Sequence, residues 1–541
     1  MPNRSNSVAD LELELRSAGI DAWQSDIADL HAMWLENLPR RVSLRGHSPA
    51  PTSWLTDTTV PCQPNAKHLV RTHRLVDEDA SLRWSGEIAH LTISELSGAI
   101  KHRAISCREV ATGYLERIER LNGKTHAFIT VLGEQALAAA DALDDRLSRK
   151  EWLGPMHGVP IGLKDLIGIK DVRLTGGSAL LSRNVSSVDA AVTTNLRQSG
   201  AVVLGTNTLN EFGLGPFIGQ GELASGLNPW DPSKITAGSS SGSAVAVVAG
   251  LCAASCGTDT AGSVRLPAIY CGAVGLKPTN GLVDSAGVIP MCWSLDVVGP
   301  ITRSVADARL MLGAMLGDGG TKRLGLHQAS TFHLQGLRIG LLTHDFVDGH
   351  KLDEEVLALF WHAVDWLQSE GAKVRDVALE NIDDNEIIYA THLAETYAVH
   401  RDALRSRPEG YHARTRLQLM LGGLVTADDW FRAGQLRIQL KRAFHDLMRN
   451  VDILVMPAQA TGATPVGVTG APALMYPRSR FTRPWNLVGA PAVTVTAGYD
   501  RRGLPLSLQF VSRCFEERLL LDVAGAYETR AAAARRTPPG F

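Results

Sequence analysis

The stretch AGSSSGSAVAVVAGLCAASCGTDTAGSVR, residues 237–265, runs from one Gly/Ser loop through an apolar, alanine-rich run into a second Gly/Ser loop. It sets a serine cluster (Ser239, Ser240, Ser241) and an isolated serine, Ser263, at the two ends of a segment that reads as buried. A third piece lies upstream. In HGVPIGLKDLIG, residues 157–168, Lys164 ends an otherwise uncharged run. Two serines and one lysine beside buried chain are the minimum set for a serine hydrolase without histidine. In such a site the base is an amine kept neutral by its surroundings.

Composition sets the bounds. At 541 residues the chain exceeds one typical domain, and it also fits a single large α/β domain with an appendage. Apolar residues at 45% allow a large core. The net charge of −2 gives no electrostatic reason to expect nucleic acid or an anionic membrane as partner. Seven cysteines are scattered through mostly apolar settings and read as buried thiols of a cytoplasmic protein. Cys252 and Cys256 lack a second Cys/His pair at zinc spacing, so no metal site is expected. The opening MPNRSNSVADLELEL has no apolar core of a signal peptide, and no apolar run reaches the length of a membrane span.

Residues 8–45 read as helical, with Ile27, Leu30, Trp34 and Leu38 at helical spacing. Residues 46–66 carry Pro49, Pro51, Pro61 and Pro64 and read as a linker or surface strap. Two readings of residues 1–85 stay open: a helical appendage packed on the rest, or a homodimerisation element. Capping boxes, Thr92 with Glu95 and Ser106 with Glu109, start two helices. Strands are expected at Val159–Leu163, which delivers Lys164, and at Ala201–Gly205, Leu337–Leu342, Ile453–Met456, Ala492–Ala497 and Leu506–Val511. Helices near 304–316, 353–369 and 516–528 separate some of them. Such alternation implies an α/β fold, a mixed central β-sheet covered by helices on both faces. Residues 384–450 read as largely helical, a cap over the site.

The pieces HGVPIGLKDL, AGSSSGSAVAVVAG, GTDTAGSVRLPA and CGAVGLKPT occur in this order, with 75 residues from Lys164 to Ser239 and 24 more to Ser263. In motif, order and spacing the chain resembles the amidase signature family of serine hydrolases, from about residue 88 to about 530. The resemblance implies the amidase-signature fold for residues 86–535, with residues 1–85 as an N-terminal helical extension. It implies Ser263 as nucleophile, Ser239 on a cis peptide as relay, and Lys164 as base. It implies no cofactor. The residues themselves fit these roles. Ser263 precedes VRLPA, a helix start whose free N–H groups favour an anion, so the N–H groups of Thr260, Ala261, Gly262 and Ser263 form a ready oxyanion cradle. A free lysine has a pKa of about 10.4, and desolvation lowers it by several units. The piece FTRPWNLVGAPAV, 481–493, resembles the family's C-terminal strand entry, which helps line the acyl pocket.

Plainer readings stand beside these. A Gly-Ser turn needs no chemistry, and most lysines are solvated. Ser240, Ser241 and Ser243 read as loop hydrogen bonders, and Asp259 with Arg265 as an ion pair holding the Ser263 loop. A rival takes Gly238–Gly242 as a G-x-S-x-G nucleophile elbow with Ser240 attacking. An elbow follows a buried strand, yet NPWDPSKITA precedes it, and His445 comes too early for the late histidine of that fold. The expected substrate is a small carboxamide, anilide or carbamate. The alternatives are the glutamine-hydrolysing subunit of a transamidation complex, which needs a partner chain, and an esterase using Ser240.

Overall fold

In the computed structural model the described residues are 6–46, 72–74, 88–214, 223–326, 328–330, 332–348, 351–379, 382, 385–466, 476–531 and 536–541. The proline-rich stretch expected as a linker lies, beyond Gly46, outside them. Among the described residues the strands in chain order are β1 (Thr72–Arg74), β2 (Phe128–Val131), β3 (Pro160–Lys164), β4 (Val202–Asn207), β5 (Ala254–Asp259), β6 (Val274–Lys277) and β7 (Val297–Thr302). Then follow β8 (Gln328–Ser330), β9 (Arg338–Leu341), β10 (Lys373–Asp376), β11 (Ile453–Pro457), β12 (Ala492–Tyr499) and β13 (Pro505–Val511). β1 and β8 form a separate antiparallel pair.

The other eleven form one mixed sheet, ordered β10-β9-β11-β13-β12-β6-β7-β5-β3-β4-β2. β3 runs parallel to both β4 and β5, while β5–β7, β7–β6, β6–β12 and β12–β13 are antiparallel. Every residue of β3, β4, β5, β6, β7, β11 and β13 is buried. Strands buried at every position need cover on both faces. Alternation confirms it: Ile453 and Val455 of β11 enter one apolar core, Leu454 and Met456 the other. The expected mixed α/β sheet with helices on both faces is therefore what forms.

The strands missed in the sequence are the pair β1 and β8 and, in the main sheet, β2, β5, β6, β7 and β10. β5 reads Ala-Ser-Cys-Gly-Thr-Asp and has little of the β-branched or aromatic content that marks a strand. Its pairing with β3 and β7 decides the matter. The apolar run of residues 237–265 is thus two elements, the helix Ser241–Val248 and β5. Both expected capping boxes are present.

The stretch expected to be helical folds as two helices, Val8–Ser17 and Gln24–Gly46. The break includes Gly19 at φ +68, a conformation that favours glycine. Leu11, Leu15, Leu30 and Met33 share a core with Leu393, Leu417 and Leu440 of the helices Asn385–Ser406, Ala413–Gly422 and Ala427–Met448. Polar ties reinforce it. Arg416 grips Asp26 at 2.7 and 2.9 Å, and Arg45 grips Asp429 at 2.7 and 3.0 Å.

Candidate active site

Three parallel strands, β4, β3 and β5, put their C-terminal ends side by side. β3 ends at Lys164, which has no exposed surface. Its Nζ donates to Ser239 Oγ at 2.7 Å and to Thr258 Oγ1 at 2.7 Å. Burial brings the amine from its ordinary range down to about 7, with Asp296 and then Asp259 acting in the opposite direction. At neutral pH a large share of this amine is therefore uncharged.

Ser239 lies 1% exposed on the loop before the helix Ser241–Val248, and the Gly238–Ser239 peptide is cis. A Cβ on Gly238 would sit 2.4 Å from Asn210 Oδ1, so only glycine fits there. The Ser240 N–H donates to Ser263 O at 3.1 Å. That bond joins the two ends of the 237–265 stretch and sets Ser263 against the Ser239 loop. The structure thus gathers Lys164, Ser239 and Ser263 from three segments.

Ser263 sits between β5 and the helix Arg265–Cys271, and is 3% exposed. Gly262 has φ +126, and a Cβ there would meet Thr482 Oγ1 at 2.2 Å. Beneath the loop lies a fully buried ion pair. Arg265 meets Asp259 through Nε–Oδ2 at 3.0 Å and Nη2–Oδ1 at 2.9 Å. Arg265 reaches on to Thr482 O, Gln509 and Asn486. Burial alone would raise the Asp259 carboxyl, yet Arg265 and Asn486 hold it down at about 2. The expected loop-holding pair is present. One expected cradle donor is not free: the Gly262 N–H donates to Asp259 Oδ1 at 2.8 Å. A carboxylate beneath a turn draws in the nearest N–H, which leaves Thr260, Ala261 and Ser263 of the four expected donors.

The neighbouring serines have other partners. Ser240 Oγ donates to Thr258 O at 3.2 Å and accepts from Thr258 N at 3.3 Å, which staples its loop to β5. Ser241 Oγ accepts from Gly226 N. Residues 223–240, which lead into Ser240, contain no strand, so the elbow geometry does not form. Trp485 is wholly buried and belongs to the second core. Cys252 and Cys256 are buried thiols, both raised by desolvation. Among the described residues no three His, Cys, Asp or Glu side chains gather as metal ligands.

Sequence reasoning missed two residues that meet this site. Thr258 is the second hydroxyl on Lys164, and only recognition of β5 as a strand would have aimed it there. Asp296 accepts from Thr260 Oγ1 at 2.5 Å. Nothing local to Asp296 marks it.

The amidase family model matches residues 109–521. A glutamyl-tRNA(Gln) amidotransferase subunit from Gloeothece citriformis is 34% identical over 480 residues, which cover 83% of this chain and 99% of that protein. Among solved structures, the native peptide amidase from Stenotrophomonas maltophilia superposes with a TM-score of 0.68 at 28% identity, covering 84% of this chain and 99% of its own. The corresponding glutamyl-tRNA(Gln) amidotransferase subunit from Thermotoga maritima does so with a TM-score of 0.68 at 26% identity, covering 84% and 98%. No described helix is long and apolar enough to cross a membrane.

Proposed function

The chain belongs to the amidase signature family of hydrolases acting on C–N bonds, and from that premise we propose that it cleaves a primary carboxamide through a serine acyl-enzyme. The carrying observation is the Lys164 amine, buried, held near neutrality and 2.7 Å from Ser239 Oγ. In this reading Ser263 Oγ attacks the carbonyl carbon. Its proton passes through Ser239 to Lys164, and the Thr260, Ala261 and Ser263 N–H groups hold the oxyanion. The ammonium returns that proton through Ser239 to the leaving nitrogen as the C–N bond breaks. Water then enters by the same relay and releases the acid. Asp259 and Arg265 fix the loop from below.

A primary carboxamide is the substrate class that suits both kinds of relative. A peptide amidase by name cleaves an amide, and an amidotransferase by name moves an amide nitrogen. The names of the sequence relatives favour glutamine as that carboxamide, with a partner chain receiving the ammonia. The helices Val8–Ser17 and Gln24–Gly46 favour a free enzyme. They lie outside the matched 109–521 and cover the helical layer 385–448. Anilides and carbamates remain secondary substrates of the same chemistry.

The test is the purified full chain, alone, on glutamine and on a panel of primary amides, anilides, carbamates and ureas, read as ammonia or amine release. Ammonia from simple carboxamides supports the free hydrolase. Ammonia from glutamine alone, raised on adding a transamidation partner, supports the role within a complex. Silence across the panel, with Ser263 unlabelled by a sulfonyl fluoride, would overturn the acyl-enzyme.

A further inference from the structure

Asp296 closes the loop 291–296 that precedes β7. Its Oδ2 accepts from the N–H groups of Met291 and Cys292 at 2.7 and 3.0 Å, and its Oδ1 accepts from Thr260 Oγ1 at 2.5 Å. One carboxylate thus shapes its own loop and ties it to the first residue of the oxyanion cradle. From the other side the helix Asn385–Ser406 steadies this loop, as Glu395 accepts from Ser294 N at 2.9 Å and from Cys292 Sγ at 3.3 Å. All three donors to Asp296 are neutral.

The reaction makes a cation beside it. When Lys164 takes the serine proton it becomes an ammonium with no exposed surface, hydrogen-bonded to two neutral hydroxyls. A buried ion without a counter-charge is strongly disfavoured. Two carboxylates act on Lys164: Asp296 from the 291–296 loop and Asp259 from the end of β5. Asp259 is already matched by Arg265 in a two-bond pair, which cancels much of its field. Asp165, the next residue, turns to the Thr175 N–H and hydroxyl instead. The charged or titratable groups facing Asp296 are Lys164 and the Cys292 thiol, with Glu395 behind that thiol and Arg437 bonded to Ser294 of the same loop at 2.9 Å.

We propose that Asp296 is a positioning residue of this site: its carboxylate sets the Thr260 end of the cradle and stabilises the ammonium that Lys164 becomes in mid-reaction. This rests on the reading of Lys164 as base. Burial raises the Asp296 carboxyl, while the Thr260 hydroxyl, the Met291 and Cys292 N–H groups and Lys164 act to lower it; the scheme passes no proton to it. The moving proton goes from Ser263 through Ser239 to Lys164, and back through Ser239 to the leaving nitrogen.

Sulfonylation of Ser263 by phenylmethanesulfonyl fluoride, followed against pH on the full chain, reads the base without a known substrate. In the wild type the rate rises as the amine loses its proton. Asp296→Asn removes the charge, so the amine holds its proton less tightly. The acid limb should move by about half a unit or more to lower pH, while the plateau, now served by a weaker base, falls about tenfold. Thr260→Val cuts the tie and keeps the charge; its plateau falls and its limb stays. Should Asp296→Asn not fold, Asp296→Ser takes the same measurement. A limb that coincides with wild type in the charge-free variant overturns the proposal. Lys164→Ala labelled at the wild-type rate would instead overturn the base reading, whatever Asp296→Asn does.

Discussion

Lys164 and Lys277 are near twins. Each ends a fully buried strand in a Gly-Leu-Lys triplet, residues 162–164 in β3 and 275–277 in β6. Neither has exposed surface, and burial brings each down to about 7. Their partners differ. Lys164 donates to two hydroxyls, Ser239 and Thr258, which carry protons of their own. Lys277 donates to the Pro278 carbonyl at 2.9 Å and to Asn280 Oδ1 at 3.3 Å, and neither oxygen has a proton to give. Desolvation makes an amine neutral. Only a proton-bearing partner on a path to substrate makes it a base. Sequence context, burial and titration alone would have nominated both.

The comparison breaks most sharply at Lys164 itself. Lys164→Ala should lower turnover by about a thousandfold or more while far-UV circular dichroism stays native. Near-wild-type turnover would leave the two lysines equivalent.

The ion pair under the loop comes next. Asp259→Asn leaves Arg265 buried without its counter-charge, and such a loss costs about 3–5 kcal/mol. Urea unfolding should show it, and an unchanged midpoint would mean the pair is not what holds the Ser263 loop.

Acidity separates the twins. Each amine is near 7 when folded and near 10.5 when unfolded, so between those values the unfolded chain binds more protons. Stability contributed by both lysines is therefore small below about 7 and grows as pH rises toward 10.5. Activity, in contrast, should rise through a midpoint at about pH 7 and level off above it, on Lys164 alone. Lys277→Met should flatten the stability slope yet keep turnover within about fivefold, since a buried lysine replaced by an apolar chain of similar size is often tolerated. An acid limb in the activity profile that shifts in Lys277→Met would merge the two roles.

The smallest effect belongs to the N-terminal helices. Arg45→Ala removes a partly exposed partner of Asp429, and Arg41 stays 3.6 Å away, so the loss should be about 1 kcal/mol, with turnover unchanged. A collapse of activity would show that this extension controls the site.

Much of this was legible beforehand. The Gly/Ser loops, the uncharged run ending in Lys164 and their spacing singled out Lys164, Ser239 and Ser263, which the fold draws from three segments. Capping boxes and aliphatic runs gave the helix starts and six of the strands. β5 escaped because Ser, Cys, Gly and Asp dilute its pattern. Gly262 was misjudged as a donor because the carboxylate that takes its N–H lies three residues back in sequence and directly below in space.

By itself the sequence determined the chemistry on offer: a lysine in uncharged chain, serines in glycine loops, and a mixed α/β sheet to carry them. The fold decided which of those groups meet. Parallel pairing of β3 with β5 brought Thr258 to Lys164, and the turn before β7 brought Asp296 to Thr260. Local pattern marks an amphipathic helix or an aliphatic strand, because such patterns lie along the chain, whereas β5 needed its sheet partners. Which partner a buried polar group finds depends on strand order and register, and those are set by the packing of the whole sheet.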